Sequence, residues 1–286
     1  MLAIVLAPVA VALRAVQRVS WSMHTPRAHV TPAMRAEAER ALGPIEDVAL
    51  RTSDGLTLHG WYAPSKRRAA VILVHGGGGN RTSMLPEATA LVARGFGVLV
   101  YDTRFCGESD GELGTWGDAE QADVVAALDF VAHRVDVDPA RIGLEGFSIG
   151  ATTASLVTAR DPRVHAVLLH AVWTSFEDEV AYKFGHYGPF SLVPAMWAFQ
   201  RGGVHPEAVR PIDHIAEIAP RPLLFITGGR DIDTPLPVVR QLLAVAGDPK
   251  DMWVVEGAAH GRYVESAPDE YPRRVVAFFE GALGPR

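Results

Sequence analysis

Only one cysteine, Cys106, occurs in the 286 residues, so an internal disulfide framework is excluded and a packed core must hold the fold together. Positive charge is in short supply. Lys and Arg number 27 against 33 Asp and Glu, a net charge of −6, without the basic footprint by which nucleic acid is usually bound. No pair of histidines or cysteines has zinc-like spacing, and no metal is implied. Internal repeats and low-complexity tracts are absent. Apolar runs stay short. Met1 to Leu13 carries no charged side chain, but thirteen residues fall below the roughly 20 needed to cross a bilayer as a helix. What remains is an ordinary globular composition, 48% hydrophobic and 21% charged, long enough for one large domain or two small ones.

The N-terminal run is followed by Arg14, Arg18 and Arg27. Three readings stay open: a short membrane-surface helix with apolar residues buried and arginines at headgroups, a helix packed on the body or on a second subunit, or a signal peptide cleaved near "AVA" at 10–12. They place the protein in the cytoplasm or at a membrane, with secretion as the third alternative. The partner through residues 1–30 would be a membrane surface or a second copy. On this reading residues 1–30 are not needed for the chemistry.

"TPAMRAEAERALGP" is a bounded helix, with Thr31 at the N-cap, Pro32 at the first helical position and Gly43-Pro44 as the stop. "VALRTSDGLTLHGWY" is two alternating runs around Asp54-Gly55, a hairpin signal. Beyond it, short continuous apolar runs alternate with helical spacing. "AAVILVHG", "FGVLVYD", "RIGLEGF", "VHAVLLHAV", "RPLLFITGG" and "MWVVEG" are strands buried on both faces. Residues 82–94, 118–134, 149–159, 235–246 and 268–283 are helices. Strands alternating with helices imply a parallel sheet covered on both sides, with the hairpin antiparallel at one edge. Residues 172–218 break the rhythm. They are rich in aromatics and prolines, show little regular patterning, and fit an insertion over the carboxyl ends of the strands, where such sheets bind ligands.

Gly-x-Ser-x-Gly occurs twice, as "GESDG" at 107–111 and "GFSIG" at 146–150. A nucleophile elbow needs a strand, a sharp turn at the serine and an immediate helix. Ser148 has all three, between "RIGLE" and "IGATTASLVTAR". Ser109 lies several residues past its strand, flanked by Glu108 and Asp110, whose charges oppose an alkoxide-like transition state. Ser148 is therefore the candidate nucleophile.

A serine needs a base oriented by an acid, and in this architecture the order is Ser, acid, His. The loop after "PLLFITGG" offers Asp231 and Asp233, with Asp231 nearer the strand end. The loop after "MWVVEG" offers His260. His165 and His170 lie on a strand and read as core or sheet-face residues. His186, His205 and His214 lie in the insertion. The oxyanion donors expected are the backbone N–H groups of Ile149 and, in "HGGGGN", of Gly77, with Gly76 second. Near the strand ends, Trp173, Phe105, Tyr182 and Trp197 are candidates for the substrate pocket. Glu177, Asp178 and Glu179 are candidates to hold a substrate amine.

Together "VHGGGGN", "YDTRFCGES", "GFSIG", "GGRDIDTP" and "GAAHG" resemble, in order, the motifs of the α/β-hydrolase superfamily across residues 45 to 285. "YDTRFCGES" resembles the loop of Bem46-like and monoacylglycerol-lipase-like serine hydrolases, which include the serine aminopeptidase S33-type domain. It departs from them at Phe105, where glycine is usual, and at Cys106. "HGGGG" resembles the oxyanion loop of esterases that accept bulky alcohols. The resemblance implies an α/β-hydrolase fold: a mostly parallel eight-stranded sheet flanked by helices, with residues 1–44 as an N-terminal apolar segment and helix, 45–286 as the catalytic domain and 172–218 as a short lid. It implies a cofactor-free serine hydrolase. Ester hydrolysis on a substrate with an apolar acyl or alcohol group is the first reading. A peptidase or amidase, and a thioesterase or acyltransferase, are the alternatives. Serine at the elbow argues against epoxide and halide chemistry, where aspartate is usual.

Overall fold

Residues 2–24 and 28–285 are described by the computed structural model, with side chains from residue 7 onward. Arg27, one of the expected headgroup arginines, and the side chains of residues 1–6 lie outside the described residues. Two helices, α1 (Leu2–Met23) and α2 (Pro32–Leu42), precede the sheet. There follow β1 (Glu46–Arg51), β2 (Thr57–Ala63), β3 (Arg68–Val74), α3 (Leu85–Ala93), β4 (Gly97–Tyr101), α4 (Glu120–Ala132), β5 (Val137–Phe147), α5 (Ile149–Arg160) and β6 (Ala166–His170). An inserted segment holds α6 (Phe176–Phe184), α7 (Pro189–Arg201) and α8 (Pro211–His214). The chain ends with β7 (Leu223–Gly228), α9 (Leu236–Val245), β8 (Lys250–Val255), α10 (Tyr263–Ser266) and α11 (Glu270–Ala282).

The eight strands form one sheet in the order β1-β2-β4-β3-β5-β6-β7-β8. The β1–β2 and β2–β4 pairs are antiparallel and all others parallel. Buried alternation decides which side each residue serves. On β3, Ala70, Ile72 and Val74 join one core under α4, α5 and α9, while Ala69, Val71 and Leu73 join a second under α2, α3 and α11. The continuous apolar runs of the sequence are this two-sided burial. Thr31 caps α2 as expected, its side chain accepting from the Met34 N–H at 3.3 Å.

One segment differs from the sequence reading. Residues 172–218, whose sequence shows little regular patterning, are largely helical. On α7 the buried ridge Ser191, Ala195, Phe199 faces the body, but the opposite ridge, Phe190, Val193 and Trp197, is apolar and exposed. With both faces apolar the helical period vanishes from the sequence. Helix α1 follows one of the three readings left open, packing on the body: Ala15, Val19 and Met23 are buried in a third apolar cluster with Trp116, Phe176, Phe184 and Phe199. Among the described residues no helix is long and apolar enough to cross a membrane.

Candidate active site

Ser148 stands between β5 and α5 with φ 55° and ψ −119°, a left-handed conformation that a non-glycine residue holds only when its surroundings impose it. Here its N–H donates to the His170 carbonyl on β6 at 2.9 Å. The flanking glycines are steric necessities. A Cβ on Gly146 would press into the Gly150 backbone, and one on Gly150 into the Val74 and His75 carbonyls. The turn therefore exists because the helix start is wedged between β3 and β5.

His260, in the loop after β8, places Nε2 at 3.2 Å from Ser148 Oγ. Its Nδ1 is 2.8 Å from Asp231 Oδ2, which fixes the tautomer: Nδ1–H donates to the carboxylate, leaving Nε2 to accept from the serine. Asp231 is itself held by its own loop, its Oδ1 accepting from the Asp233 and Thr234 N–H groups at 2.8 Å each. Asp231, Asp233 and His260 bring possible ligand atoms within 4.8 Å of one another, but these hydrogen bonds already engage Asp231 and His260 Nδ1. Phe147 sets its ring at a tilt 4.8 Å from the His260 ring and so limits how the imidazole can turn; nothing in the chain signals this beyond its place beside the serine.

The loop expected to supply an oxyanion donor is held by His75, which sequence reasoning passed over. His75 Nε2 accepts from the Thr103 N–H at 3.1 Å, so Nδ1 carries the proton and donates to the Gly76 carbonyl at 2.7 Å. Burial lowers the pKa of His75, which keeps that arrangement neutral. The Gly79 N–H also donates to the Gly76 carbonyl, at 3.3 Å. In a trans peptide the next N–H points the opposite way, so the Gly77 N–H is turned away from His75. The Ile149 N–H lies at the first position of α5, where a helix supplies no internal partner.

Ser109 has a different environment. It is fully buried, accepts from the His59 N–H at 2.9 Å and donates to the Asp102 carbonyl at 2.7 Å. The surrounding loop is fastened by Arg81 to Asp102 (2.7 Å) and by Arg104 to Asp123 (2.7 Å).

A narrow cavity of about 50 Å³ beside the elbow is lined by Gly76, Gly77, Phe105, Cys106, Trp116 and Ile149, among others, with Ser22 and Ala28 closing one wall. Burial pushes the Cys106 thiol up to about 11, so it stays protonated at neutral pH. Of the four side chains expected at the pocket, Phe105 lines this cavity. Trp173 is buried and packs 5.3 Å from the Tyr182 ring. Tyr182 donates its hydroxyl to the Ile232 carbonyl at 2.9 Å, tying the lid to the loop that carries Asp231. Trp197 faces solvent with Arg201 over its ring at 5.8 Å. The three acids at the start of the lid are engaged: Glu177 with Arg210 (3.1 Å), Asp178 with Thr174 (2.7 Å) and Glu179 with Lys183 (2.6 Å). His170 is buried against Glu145 at 2.8 Å, and His205 and His214 pair with Asp118 and Glu217.

Residues 16–205 match the model of a family described as X-Pro dipeptidyl-peptidase (S15 family). A Mycobacterium tuberculosis protein, Rv2307c, is 34% identical over 218 residues, covering 75% of this chain and 72% of that protein. Among solved structures, the Pyrococcus furiosus esterase Pf2001 superposes with a TM-score of 0.74 at 24% identity, over 91% of this chain and 99% of that one. A puromycin-hydrolysing peptidase of Mycobacterium tuberculosis superposes with a TM-score of 0.71 at 21% identity, over 86% of this chain and 40% of that one. These superpositions show a shared α/β-hydrolase fold, and with well over half its length matched by the family model, the chain belongs to the X-Pro dipeptidyl-peptidase (S15) family.

Proposed function

We propose that this protein is a serine carboxylic ester hydrolase with Ser148 as nucleophile, His260 as general base and then acid, and Asp231 as the group that orients the imidazole. The observation carrying this is the unbroken chain from Ser148 Oγ to His260 Nε2 (3.2 Å) and from His260 Nδ1 to Asp231 (2.8 Å), on a strained elbow. Ser148 Oγ attacks the acyl carbon while its proton passes to His260 Nε2. Asp231 stabilises the imidazolium without taking its proton. The negative oxygen of the tetrahedral intermediate falls to the Gly77 and Ile149 N–H groups, each such donor being worth roughly 3–4 kcal/mol. His260 then protonates the departing alcohol, and a water activated by the same imidazole releases the acid.

Esters are favoured over amines-bearing peptides by the lid. The three acids that were candidates to hold a substrate amine, Glu177, Asp178 and Glu179, already accept hydrogen bonds from Arg210, Thr174 and Lys183. Glu120 in the cavity wall is engaged by Thr115 and Gly117, and the cavity walls are chiefly apolar. The "YDTRFCGES" segment supports a place near Bem46-like and monoacylglycerol-lipase-like hydrolases, and a small substrate with an apolar acyl or alcohol group. The family description supports a second reading, a serine peptidase. A panel of p-nitrophenyl esters and aminoacyl-p-nitroanilides separates the two. Higher kcat/KM on the nitroanilides would overturn the ester reading, and retained turnover by Ser148→Ala would overturn both.

A further inference from the structure

Charge is unevenly placed on this acidic molecule. No Asp or Glu occurs before Glu37, and none from Gly185 through Pro206. These two acid-free stretches contain α1 and α7, which pack on each other through Ala15, Val19, Met23, Ala195 and Phe199. Between α1 and the start of α7 lies a notch of about 230 Å³ lined by Arg14, Arg18, His186, Tyr187 and Ser191, with no acidic residue in its wall. Arg18 sits over the Phe184 ring at 5.1 Å. Among the described residues neither arginine has an ion pair, and the lid acids Glu177 and Glu179 are paired with Arg210 and Lys183. Beginning at Tyr187, which is 65% exposed and shared with the notch, the outer ridge of α7 runs through Phe190, Val193 and Trp197, each more than half exposed.

A cationic notch continuous with an exposed aromatic ridge has one complementary surface. We infer that α1 and the outer face of α7 form a platform that docks on an anionic lipid bilayer, with headgroup phosphates at Arg14, Arg18 and His186 and the ridge of Phe190, Val193 and Trp197 in the interfacial layer. Aromatic rings at headgroup depth and arginines on the flank of an apolar helix are how proteins lie on a membrane without spanning it. A contiguous exposed apolar ridge, unlike apolar residues exposed singly, marks an interface. The proposal goes beyond the hydrolytic reading and does not depend on it, since docking is read without turnover.

The test is flotation of the full-length protein with vesicles of phosphatidylcholine alone and of phosphatidylcholine mixed with phosphatidylglycerol. Binding to the mixed vesicles is expected to exceed binding to the neutral ones at least tenfold and to fall as salt rises, because each arginine near an anionic surface contributes about a fivefold gain. Arg14→Gln with Arg18→Gln is expected to lower partition roughly tenfold or more, and Phe190→Ser with Val193→Ser to abolish it, both with an unchanged thermal midpoint. Equal binding to both vesicle types overturns the proposal. So does a thermal shift with inorganic phosphate but no flotation, which would make the notch a soluble-anion site. A concentration-dependent dimer lost in the Phe190/Val193 double variant, without vesicle binding, would assign the ridge to a second copy instead.

Discussion

At Ser109 the hydroxyl already has two protein partners, the His59 N–H and the Asp102 carbonyl, and no base. Ser109→Ala is therefore expected to cost roughly 1–3 kcal/mol of stability, because it orphans a buried donor and acceptor, while turnover per folded molecule persists. Ser148→Ala is expected to abolish turnover with little change in stability. Urea denaturation and active-site titration with a fluorophosphonate separate the two, and an adduct on Ser109 would reverse the assignment. Asp231→Asn should lower kcat by roughly 10⁴-fold, since it removes the acceptor that fixes the tautomer; Asp233 contributes its backbone N–H to Asp231, so Asp233→Asn should do far less. Phe105 is the other residue where backbone and site meet. Its φ is 67°, where an L side chain costs about 1–2 kcal/mol, and its ring lines the cavity. The resembling loop has glycine at this place, which needs no such strain. Phe105→Gly should leave the thermal midpoint nearly unchanged, relief of strain offsetting lost packing, and should shift kcat/KM toward longer or bulkier acyl groups. An unchanged chain-length profile would remove Phe105 from the pocket.

Strands β5 and β6 carry a buried titratable layer directly beneath the elbow. Glu145 and His170 are in contact at 2.8 Å, and Glu87 on α3 accepts from the Tyr271 hydroxyl on α11. Burial raises Glu145 from 4.5 to about 8. Burial, with Glu145 nearby, raises Glu87 from 4.5 to about 7. Burial lowers His170 from 6.5 to about 4. The signs differ. A carboxyl raised in the folded state gives stability below its unfolded pKa that is lost as pH rises to the folded one. A lowered histidine gives stability above 6.5 that is lost on acidification toward 4. From 4.5 to 6.5 these trends oppose each other; from 6.5 to 8 the carboxyl loss is unopposed by His170. Unfolding free energy should fall across that upper window by up to about 1.4 kcal/mol per pH unit for each proton involved. In Glu145→Gln the decline should shrink to the part due to Glu87, and an unaltered slope would show that Glu145 is charged in the folded protein. At this scale the sequence is legible where burial is one-sided or complete. Alternation located β1 and β2, and continuous apolar runs located the parallel strands. It fails at α7, whose two apolar faces cancel the period, and at His75, whose role depends on the Thr103 N–H arriving from another strand end.

The whole molecule is closed by its N-terminal segment. The convergence of Ser148, Asp231 and His260 was legible because each leaves a strand at the same sheet edge, a relation that chain order alone implies. The N-terminal contribution was not, because nothing local to Met1–Leu13 says what its continuation touches. Met23 is buried, its carbonyl accepts from the Gly114 N–H at 3.0 Å, and its Sδ lies 2.8 Å from where a Gly202 Cβ would stand. The Ala28 carbonyl accepts from Asn80 Nδ2 at 2.7 Å, fastening the segment to the turn that follows the oxyanion loop. Ser22 and Ala28 are part of the cavity wall. Val19 and Met23 are each worth roughly 1.5–3 kcal/mol when fully buried, within the cluster that joins α1 to the lid and to Trp116 and Leu156. Deleting residues 1–30 should therefore lower the thermal midpoint and reduce kcat/KM even on short soluble esters. Far-UV circular dichroism should keep its strand component, because among the described residues the two sheet cores draw on residues 1–30 only through Val30. Leu13→Ser, at a position 65% exposed, is the matched control and should leave both quantities unchanged. A truncated protein with the full thermal midpoint and full activity on p-nitrophenyl acetate would show that α1 rests on the lid without supporting it, and that the cavity is complete without Ser22 and Ala28.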